Sequence, residues 1–203
     1  YPEYMDSGLQ WLGAIPDHWE VIQSRRLFSQ RKERAQPSDE QLTASQKYGV
    51  IYQKLFMELE GQSVVQVQTG SDILKHVEAN DFVISMRSFQ GGLEWCQYPG
   101  SVSSAYVGII PVKHVVPEFF RYLFKSESYV QALQSTSNLV RDGQALRVEN
   151  FSQVHLPQIP EDEQKEIAAF LDHETARIDA LIEKQQRLIE LLKEKRQTVI
   201  SHA

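Results

Sequence analysis

The segment that decides the fold is Glu161–Ala203, EDEQKEIAAFLDHETARIDALIEKQQRLIELLKEKRQTVISHA, which contains neither proline nor glycine. Its apolar side chains recur at or beside the two inward positions of a seven-residue repeat, a spacing typical of a helix that pairs with another helix. We predict that the pairing residues are Ile167, Leu171, Ile178, Leu181, Ile182, Leu188, Leu192 and Val199. At about 1.5 Å per residue the helix would run roughly 60 Å, which is too long for the domain that precedes it.

Polar residues interrupt this stripe at Gln164, Glu174, Gln185 and Lys195. Polar residues at inward positions can set the register of a helix pair, or they can form a face left for a different partner, and the sequence is compatible with both readings. The segment could alternatively be a long core helix of a single globule. Its excess length favours projection from the domain and pairing with a second helix.

The residues before the helix predict a mixed α+β domain of short strands and a few helices. We therefore divide the chain into a globular domain at 1–160 and a long coiled-coil-type helix at 161–203. Helical patterns cover Val21–Arg34 and Pro117–Gln134, whereas the polar segment Gln36–Gln46 is predicted to be a loop. Short β-type runs separated by turn residues are expected at Tyr48–Gln53, Ser63–Val67, Phe82–Met86, Leu93–Gln97, Ala105–Ile110 and Phe151–Ile159.

The net charge of −6 argues by itself against binding to nucleic acid. A local basic cluster opposes that reading, because Arg25, Arg26, Arg31, Lys32 and Arg34 lie close together in sequence with only Glu33 among them. Such a cluster can face phosphates while the rest of the surface stays acidic. It can equally be the solvated face of a helix.

The motifs of catalysis and of metal binding are missing from the sequence. Gly91-Gly92 is an isolated pair rather than a phosphate-binding loop, the six histidines lack ligand spacing, and Cys96 is the only cysteine. No apolar run reaches the roughly 18 residues of a membrane span. We therefore predict no catalytic residue, no metal, no cofactor and no membrane partner, and the lone cysteine fits a reducing cytoplasm.

Two polar segments contain glycine and could present side chains to a ligand: Ser85–Gly92 and Arg141–Gln144. Arginine pairs with guanine and glutamine with adenine through two hydrogen bonds each, so both residue types suit the reading of base edges. Ordinary hairpin loops are an equal alternative from this chemistry alone.

Three stretches carry a resemblance to a known family. They are the opening YPEYMDSGLQWLGAIPDHWE at 1–20, the helix entry PQIPEDEQ at 157–164 followed by IAAFLD at 167–172, and TARIDALI at 175–182 running into LLKEKR at 191–196. On these residues the chain resembles half of a specificity (S) subunit of a type I restriction-modification system. That half consists of one target recognition domain and one spacer helix.

The resemblance implies a non-catalytic subunit that reads one half of a split double-stranded DNA target. A full subunit resembles two such halves, whose helices pack antiparallel and fix the gap between the half-sites. The implied partners are modification (methyltransferase) subunits, which carry S-adenosylmethionine, and a restriction subunit, which uses ATP. The single half predicts an antiparallel homodimer through the helix, or a missing second half.

Candidate DNA-binding residues follow from the basic cluster, the glycine-containing segments and the edges of the predicted strands. For phosphate contact they are Arg25, Arg31, Lys32, Arg34, Lys47 and Lys54. For base-edge or adjacent contact they are Arg87, Ser88, Gln90, Ser104, Tyr106, Arg141 and Gln144. Tyr106, inside a predicted strand, could instead belong to the core. A different class of protein also fits, a coiled-coil interaction module with no nucleic-acid role, which the acidic net charge favours.

Overall fold

The computed structural model describes residues 1, 3–61, 73–85, 92–112, 114–136 and 147–201. Its strands are β1 (Tyr4–Asp6), β2 (Ala14–Pro16), β3 (Glu20–Gln23), β4 (Phe28–Gln30), β5 (Leu42–Ser45), β6 (Gly49–Tyr52), β7 (Lys75–Val77), β8 (Phe82–Ser85), β9 (Glu94–Trp95), β10 (Gly100–Val102), β11 (Tyr106–Pro111) and β12 (His155–Gln158). Its helices are α1 (Ser24–Leu27), α2 (Gln53–Glu60), α3 (Pro117–Leu123), α4 (Glu127–Ser135), α5 (Val148–Gln153) and α6 (Glu161–Ser201). This is the predicted α+β class, with short strands and a few helices followed by one long helix.

An antiparallel sheet of four strands, in the order β4-β11-β8-β9, forms the centre of the domain. Both of its faces are covered, as β8 shows most clearly. Phe82 and Ile84 face the larger hydrophobic cluster with α3 and α4, whereas Val83 faces a smaller cluster, and all three are fully buried. Because side chains alternate between the two faces of a strand, double burial gives β8 a continuous apolar run.

The smaller cluster is enclosed by the hairpin β5–β6 and by the pair β7–β10. Tyr52 and Tyr98 stack at its edge, with ring centroids 4.6 Å apart. Cys96 is fully buried in this cluster, and burial raises the pKa of its thiol well above the ordinary value. The cysteine therefore acts as a small apolar core residue.

Several predicted elements differ from the structure. The helix predicted at Val21–Arg34 is wrong, because β3 pairs with β12 and β4 pairs with β11, which leaves only α1 helical. The loop predicted at Gln36–Gln46 contains the whole of β5, so this prediction is wrong for Leu42–Ser45. The strand predicted at Phe151–Ile159 is split between the end of α5 and β12. The strand predicted at Ser63–Val67 lies outside the described residues.

Other predictions are confirmed. The strands β6, β8, β9 and β11 coincide with four of the predicted β-type runs. The helical pattern at Pro117–Gln134 is present as α3 and α4, separated at Ser126, whose hydroxyl caps α4 by accepting a hydrogen bond from the Tyr129 amide. The long helix begins at Glu161, directly after Pro160.

Gln164 fastens the first turn of α6 to the domain. Its side chain is 3% exposed, and its Oε1 accepts a hydrogen bond from the Val116 amide at 2.8 Å. Its Nε2 donates to the carbonyl oxygens of His114 at 3.0 Å and Ile159 at 2.7 Å. Gln164, the first polar residue that interrupts the apolar stripe, therefore has hydrogen-bond partners for its amide oxygen and nitrogen within its own chain.

The neighbouring residue Glu163 holds the opening of the chain against α6. Its carboxylate accepts hydrogen bonds from the Tyr1 hydroxyl at 2.8 Å and Trp19 Nε1 at 2.9 Å, and it lies 2.7 Å from His18 Nε2. Burial opposes ionisation of this carboxylate, but the three hydrogen bonds outweigh burial and lower the pKa of Glu163. The start of the domain and the base of the helix therefore form one structural unit.

The contact between α6 and the domain ends near Thr175. Asp172 pairs with Arg121 and with the Tyr122 hydroxyl, which also lies 3.3 Å from Thr175 Oγ1. Ile167 packs against the domain core, so its predicted role in pairing with a second helix is not supported by its position. Beyond Thr175 the apolar stripe is open, with exposed fractions between 49% and 62% at Ile178, Leu181, Ile182, Leu188, Leu192 and Val199.

A buried ionic network holds the chain before β5 against β7. His76 is 5% exposed, with Nδ1 2.8 Å from Asp39 Oδ2 and Nε2 3.0 Å from Glu78 Oε1. Burial alone would lower the pKa of His76, but the hydrogen bonds to Glu78 and Asp39 outweigh it and raise the pKa. An imidazole that carries both ring protons can donate to the carboxylates on its two sides.

We expect Gln164→Leu to lower the free energy of unfolding by about 3 kcal/mol, because it leaves the buried Val116 amide, the buried Ile159 carbonyl and the part-buried His114 carbonyl without this partner. The matched control is Gln186→Leu, the same chemical change at an exposed position of α6, expected to stay within about 0.5 kcal/mol of the wild type. Urea denaturation gives both values. An equal loss in the two variants would contradict the anchoring role of Gln164.

We expect the stability difference between the wild type and His76→Gln to depend on pH. The folded pKa of His76 is raised above its ordinary value, so the stabilisation is complete below about pH 6 and is lost as the pH rises through the raised pKa. The difference in free energy of unfolding should therefore shrink between about pH 6 and pH 9. His173→Gln, at an exposed histidine of α6, is the control, and a constant difference for His76→Gln would refute the network's charged state.

Candidate nucleic-acid interface

Several predicted contact residues meet at one end of the central sheet. Tyr106 begins β11 opposite Ser85, the last residue of β8. Lys75 begins β7 opposite Val102, the last residue of β10, and the turn at 103–105 connects β10 to β11. We call Arg34, Lys75, Ser85, Ser104 and Tyr106 the sheet-end cluster.

Lys75 brings a positive charge into the sheet-end cluster. Its ammonium group donates hydrogen bonds to the carbonyl oxygens of Ser104 at 3.1 Å and Tyr106 at 2.7 Å. Partial burial lowers the pKa of Lys75, and no described carboxylate lies within ion-pairing distance of it. An ammonium group has three protons, so a further acceptor can complete its hydrogen bonds.

Arg34 lies beside Lys75 because residues 33–35 run alongside β7. The His76 amide donates to the Glu33 carbonyl and the Ala35 amide to the Leu74 carbonyl, both at 3.1 Å, and Arg34 itself bridges to Lys75. The Arg34 side chain is exposed. Lys32, also exposed, lies two residues earlier on the same strand-like segment. Two predicted phosphate contacts are thus placed at or near the cluster.

Arg31 has a different role from the one predicted. Its side chain is only 11% exposed and pairs with the buried Asp81, with Nη2 3.1 Å from Oδ1, and also with Glu33. The hydrogen bond to Asp81 raises the pKa of Arg31, while burial raises the pKa of Asp81 against the effect of the arginine. Breaking such a half-buried pair would leave Asp81 without a partner, so Arg31 is a structural residue.

The remaining described candidates lie on separate surfaces. Lys47 is exposed, pairs with Glu60 at 3.0 Å and lies over the Tyr48 ring, 4.7 Å from its centroid. Lys54 is exposed on α2. Arg25 lines a shallow cleft beside α5. The structure does not bring these three together with the sheet-end cluster.

Five predicted contacts lie outside the described residues: Arg87, Ser88, Gln90, Arg141 and Gln144. The described residues that flank them are placed. Ser85, in the sheet-end cluster, precedes segment 86–91, and Gly92, with a φ of 84°, follows it. A Cβ at Gly92 would come 2.0 Å from the Phe124 carbonyl oxygen, so only glycine fits there. Asn150 joins the flanks of segment 137–146, donating to the Thr136 carbonyl and accepting from the Arg147 amide.

Sequence reasoning missed Lys75, because β7 was not predicted. The signal was weak, since the strand has only three residues and contains two charged or polar ones. For Tyr106 the sequence left open a role in the core and a role at the interface, and the structure is compatible with both. Its ring packs partly against the smaller hydrophobic cluster, while its backbone carbonyl holds Lys75.

The described part of the chain offers no alternative site of metal or membrane type. Among the described residues no group of three or more His, Cys, Asp or Glu could hold a metal ion. None of the helices in the described ranges is both long enough and apolar enough to cross a membrane.

Comparisons with solved structures show the fold. The chain is similar to the HsdS subunit from Thermoanaerobacter tengcongensis, with a TM-score of 0.57 and 15% identity, over 90% of this chain and 42% of that one. It is equally similar to a chain from a structural account of complex assembly and conformational transition in the type I R-M system, with a TM-score of 0.57, 15% identity, and coverage of 88% and 42%. The chain thus spans less than half the length of either structure.

A comparison with curated proteins finds no match for this sequence. The family model described as "Type I restriction modification DNA specificity domain" matches residues 16–192, which is most of the chain. The match includes the central sheet, the sheet-end cluster and most of α6. The chain therefore belongs to the family of type I restriction-modification DNA specificity domains, which recognise DNA and are not catalytic.

Proposed function

We propose that this chain reads one half of a split DNA target through its sheet-end cluster and the adjoining segment 86–91. The observation that carries the proposal is the convergence at one sheet end of Arg34, Lys75 and Ser85, the last described residue before that segment. Lys75 and Arg34 suit phosphate contacts, which position a protein on the duplex. Arg87 and Gln90 follow Ser85 closely in sequence and have the chemistry that reads base edges.

We further propose that α6 sets the distance between two half-sites. The supporting features are its open apolar stripe beyond Thr175 and the rigid attachment of its base through Gln164 and Glu163. The chain covers 42% of each of the two similar solved chains, so two copies together would supply two such halves. The occupant of the stripe is accordingly a second copy, or the second half of a longer chain.

In this proposal the chain works within a larger cytoplasmic complex. Modification (methyltransferase) subunits and a restriction subunit dock on it and bring S-adenosylmethionine and ATP, while this chain binds neither. The net charge of −6 fits such a division of roles, because partner subunits can supply much of the positive surface that holds the duplex. The same charge favours the second candidate, an interaction module with no affinity for DNA.

We expect Arg34→Ala to weaken binding to any duplex and to reduce the slope of log affinity against log salt by about one, because one phosphate contact is lost. The control is Arg177→Ala, which removes an arginine that pairs with Glu174 on the exposed part of α6. A titration of labelled duplex at several salt concentrations measures both variants. A wild type with no salt-dependent affinity for duplex DNA would favour the interaction module.

We expect Leu181→Glu to convert a dimer into a monomer, because it places a charge on the open apolar stripe. Ala180→Glu introduces the same charge one position away, on the outer side of the seven-residue repeat, and should leave the dimer intact. Light scattering at several concentrations measures the mass of each protein. A wild type that is monomeric at every concentration would mean that the apolar stripe binds a different chain and not a second copy of this one.

A further inference from the structure

The two cations of the sheet-end cluster are held in different ways. Arg34 is exposed, and none of the described residues forms an ion pair or a side-chain hydrogen bond with its guanidinium group. Lys75 is half-buried, and its ammonium group donates hydrogen bonds to the carbonyl oxygens of Ser104 at 3.1 Å and Tyr106 at 2.7 Å. Both cations can contact a phosphate by charge alone, but only Lys75 is held in a fixed position.

The two carbonyl oxygens leave one N–H of Lys75 for a further acceptor. An ammonium group has three N–H donors in a tetrahedral arrangement, so aiming two of them fixes the direction of the third. A lysine that only neutralises a phosphate gains nothing from this restriction, because a mobile side chain can reach any of several phosphate oxygens. Fixing a long side chain costs conformational entropy, and partial burial lowers the pKa of Lys75 because the charged form loses solvent. The arrangement therefore suits a donor that must point at one particular acceptor.

The groups that hold Lys75 are themselves fixed by the strands around them. Lys75 lies opposite Val102 in the pair β7–β10, and Tyr106 begins β11, which pairs with β8. The turn between β10 and β11 is closed by the Tyr106 amide, which donates to the Ser103 carbonyl at 2.9 Å, and by the Ala105 amide, which donates to the Ser103 hydroxyl at 3.3 Å. A contact group carried by strands and a closed turn is positioned more precisely than one on an open loop.

A single positive donor discriminates among the four bases in the major groove of DNA. Guanine presents two neighbouring acceptors there, N7 and O6, whereas cytosine presents an amino donor. Adenine places its amino donor beside N7, and thymine places a methyl group beside its one acceptor, O4. Guanine is therefore the base that a fixed ammonium group favours. The charge of Lys75 is available for this contact, because its hydrogen-bond partners among the described residues are neutral carbonyl groups.

We propose that Lys75 reads a guanine in the DNA half-site through N7 or O6 of that base. Arg34, exposed beside it, contacts phosphate and carries no information about sequence. This inference rests on the proposed reading of DNA by the sheet-end cluster, and it assigns different roles to the two cations. It also requires that at least one guanine of the preferred half-site depends on a residue outside segment 86–91.

Selection from a randomised duplex library with the full 203-residue chain measures the base preference at every position of the site. Lys75→Met keeps much of the length of the side chain and removes its donors. We expect this variant to reduce the preference for guanine about tenfold at one position and to leave the other positions unchanged. Arg34→Met, the matched change at the exposed cation, should weaken binding to all sequences alike.

Modified bases distinguish a direct contact from an indirect effect through the turn at 103–105. In 7-deazaguanine a C–H group replaces N7, and in 6-thioguanine sulfur, a weaker acceptor, replaces O6. At the guanine identified with Lys75→Met, one of these bases should weaken binding of the wild type about tenfold. The same base should hardly affect Lys75→Met, because that contact is already lost. If Lys75 only held the turn in place, the two changes would weaken binding additively, and the inference would be wrong.

The outcomes separate this inference from the function on which it rests. If Lys75→Met binds more weakly but keeps every base preference of the wild type, Lys75 is a phosphate contact, and the inference fails while the proposed function stands. A wild type that binds no duplex, or binds all duplexes equally, refutes the proposed function as well. If Lys75→Met shows no cooperative thermal transition, the wild type still provides the test. Its insensitivity to both modified bases at every guanine of the preferred site would contradict the inference.

Discussion

The buried amide of Gln164 is the constraint on which the arrangement of the chain depends. It uses both ends of its side chain to join α6 to the strand end at Ile159 and to the residues that precede α3. Glu163 adds the opening of the chain through three aromatic or imidazole side chains. Because the two residues are consecutive on one helix, they fix both the position of its axis and its rotation about that axis.

Sequence reasoning succeeds where the pattern is local and fails where distant pairing decides. The long helix is readable because its seven-residue repeat continues from Gln164 to Val199, through most of the 41-residue helix that follows Pro160. The segment Val21–Arg34 has helix-forming composition, yet most of it is extended, because β12 and β11 provide strand partners more than 75 residues away in sequence. Tertiary hydrogen bonding outweighs helix propensity differences of a fraction of a kcal/mol per residue.

The candidate interface follows the same rule. Arg34 and Tyr106 could be selected from residue type and from their place in the chain, but their proximity could not, since it arises from the paths of β7, β10 and β11. The opposite outcome for Arg31 has the same origin. Its partner Asp81 is 50 residues away and lies directly before β8, so no local pattern distinguishes this arginine from its exposed neighbours. A cluster of basic residues in the sequence therefore does not show which of its side chains are exposed, because the pairing of strands buries some of them and leaves others on the surface.

The attachment of α6 near its base also has a mechanical consequence. From Thr175 to Ser201 the helix extends about 39 Å beyond its last contact with the domain. It therefore works as a lever, in which a rotation of about 10° at the base would displace the far end by roughly 7 Å. That displacement is about two base-pair steps of B-form DNA. Stiffness at Gln164 and Glu163 therefore determines where the far end of α6 lies relative to the domain.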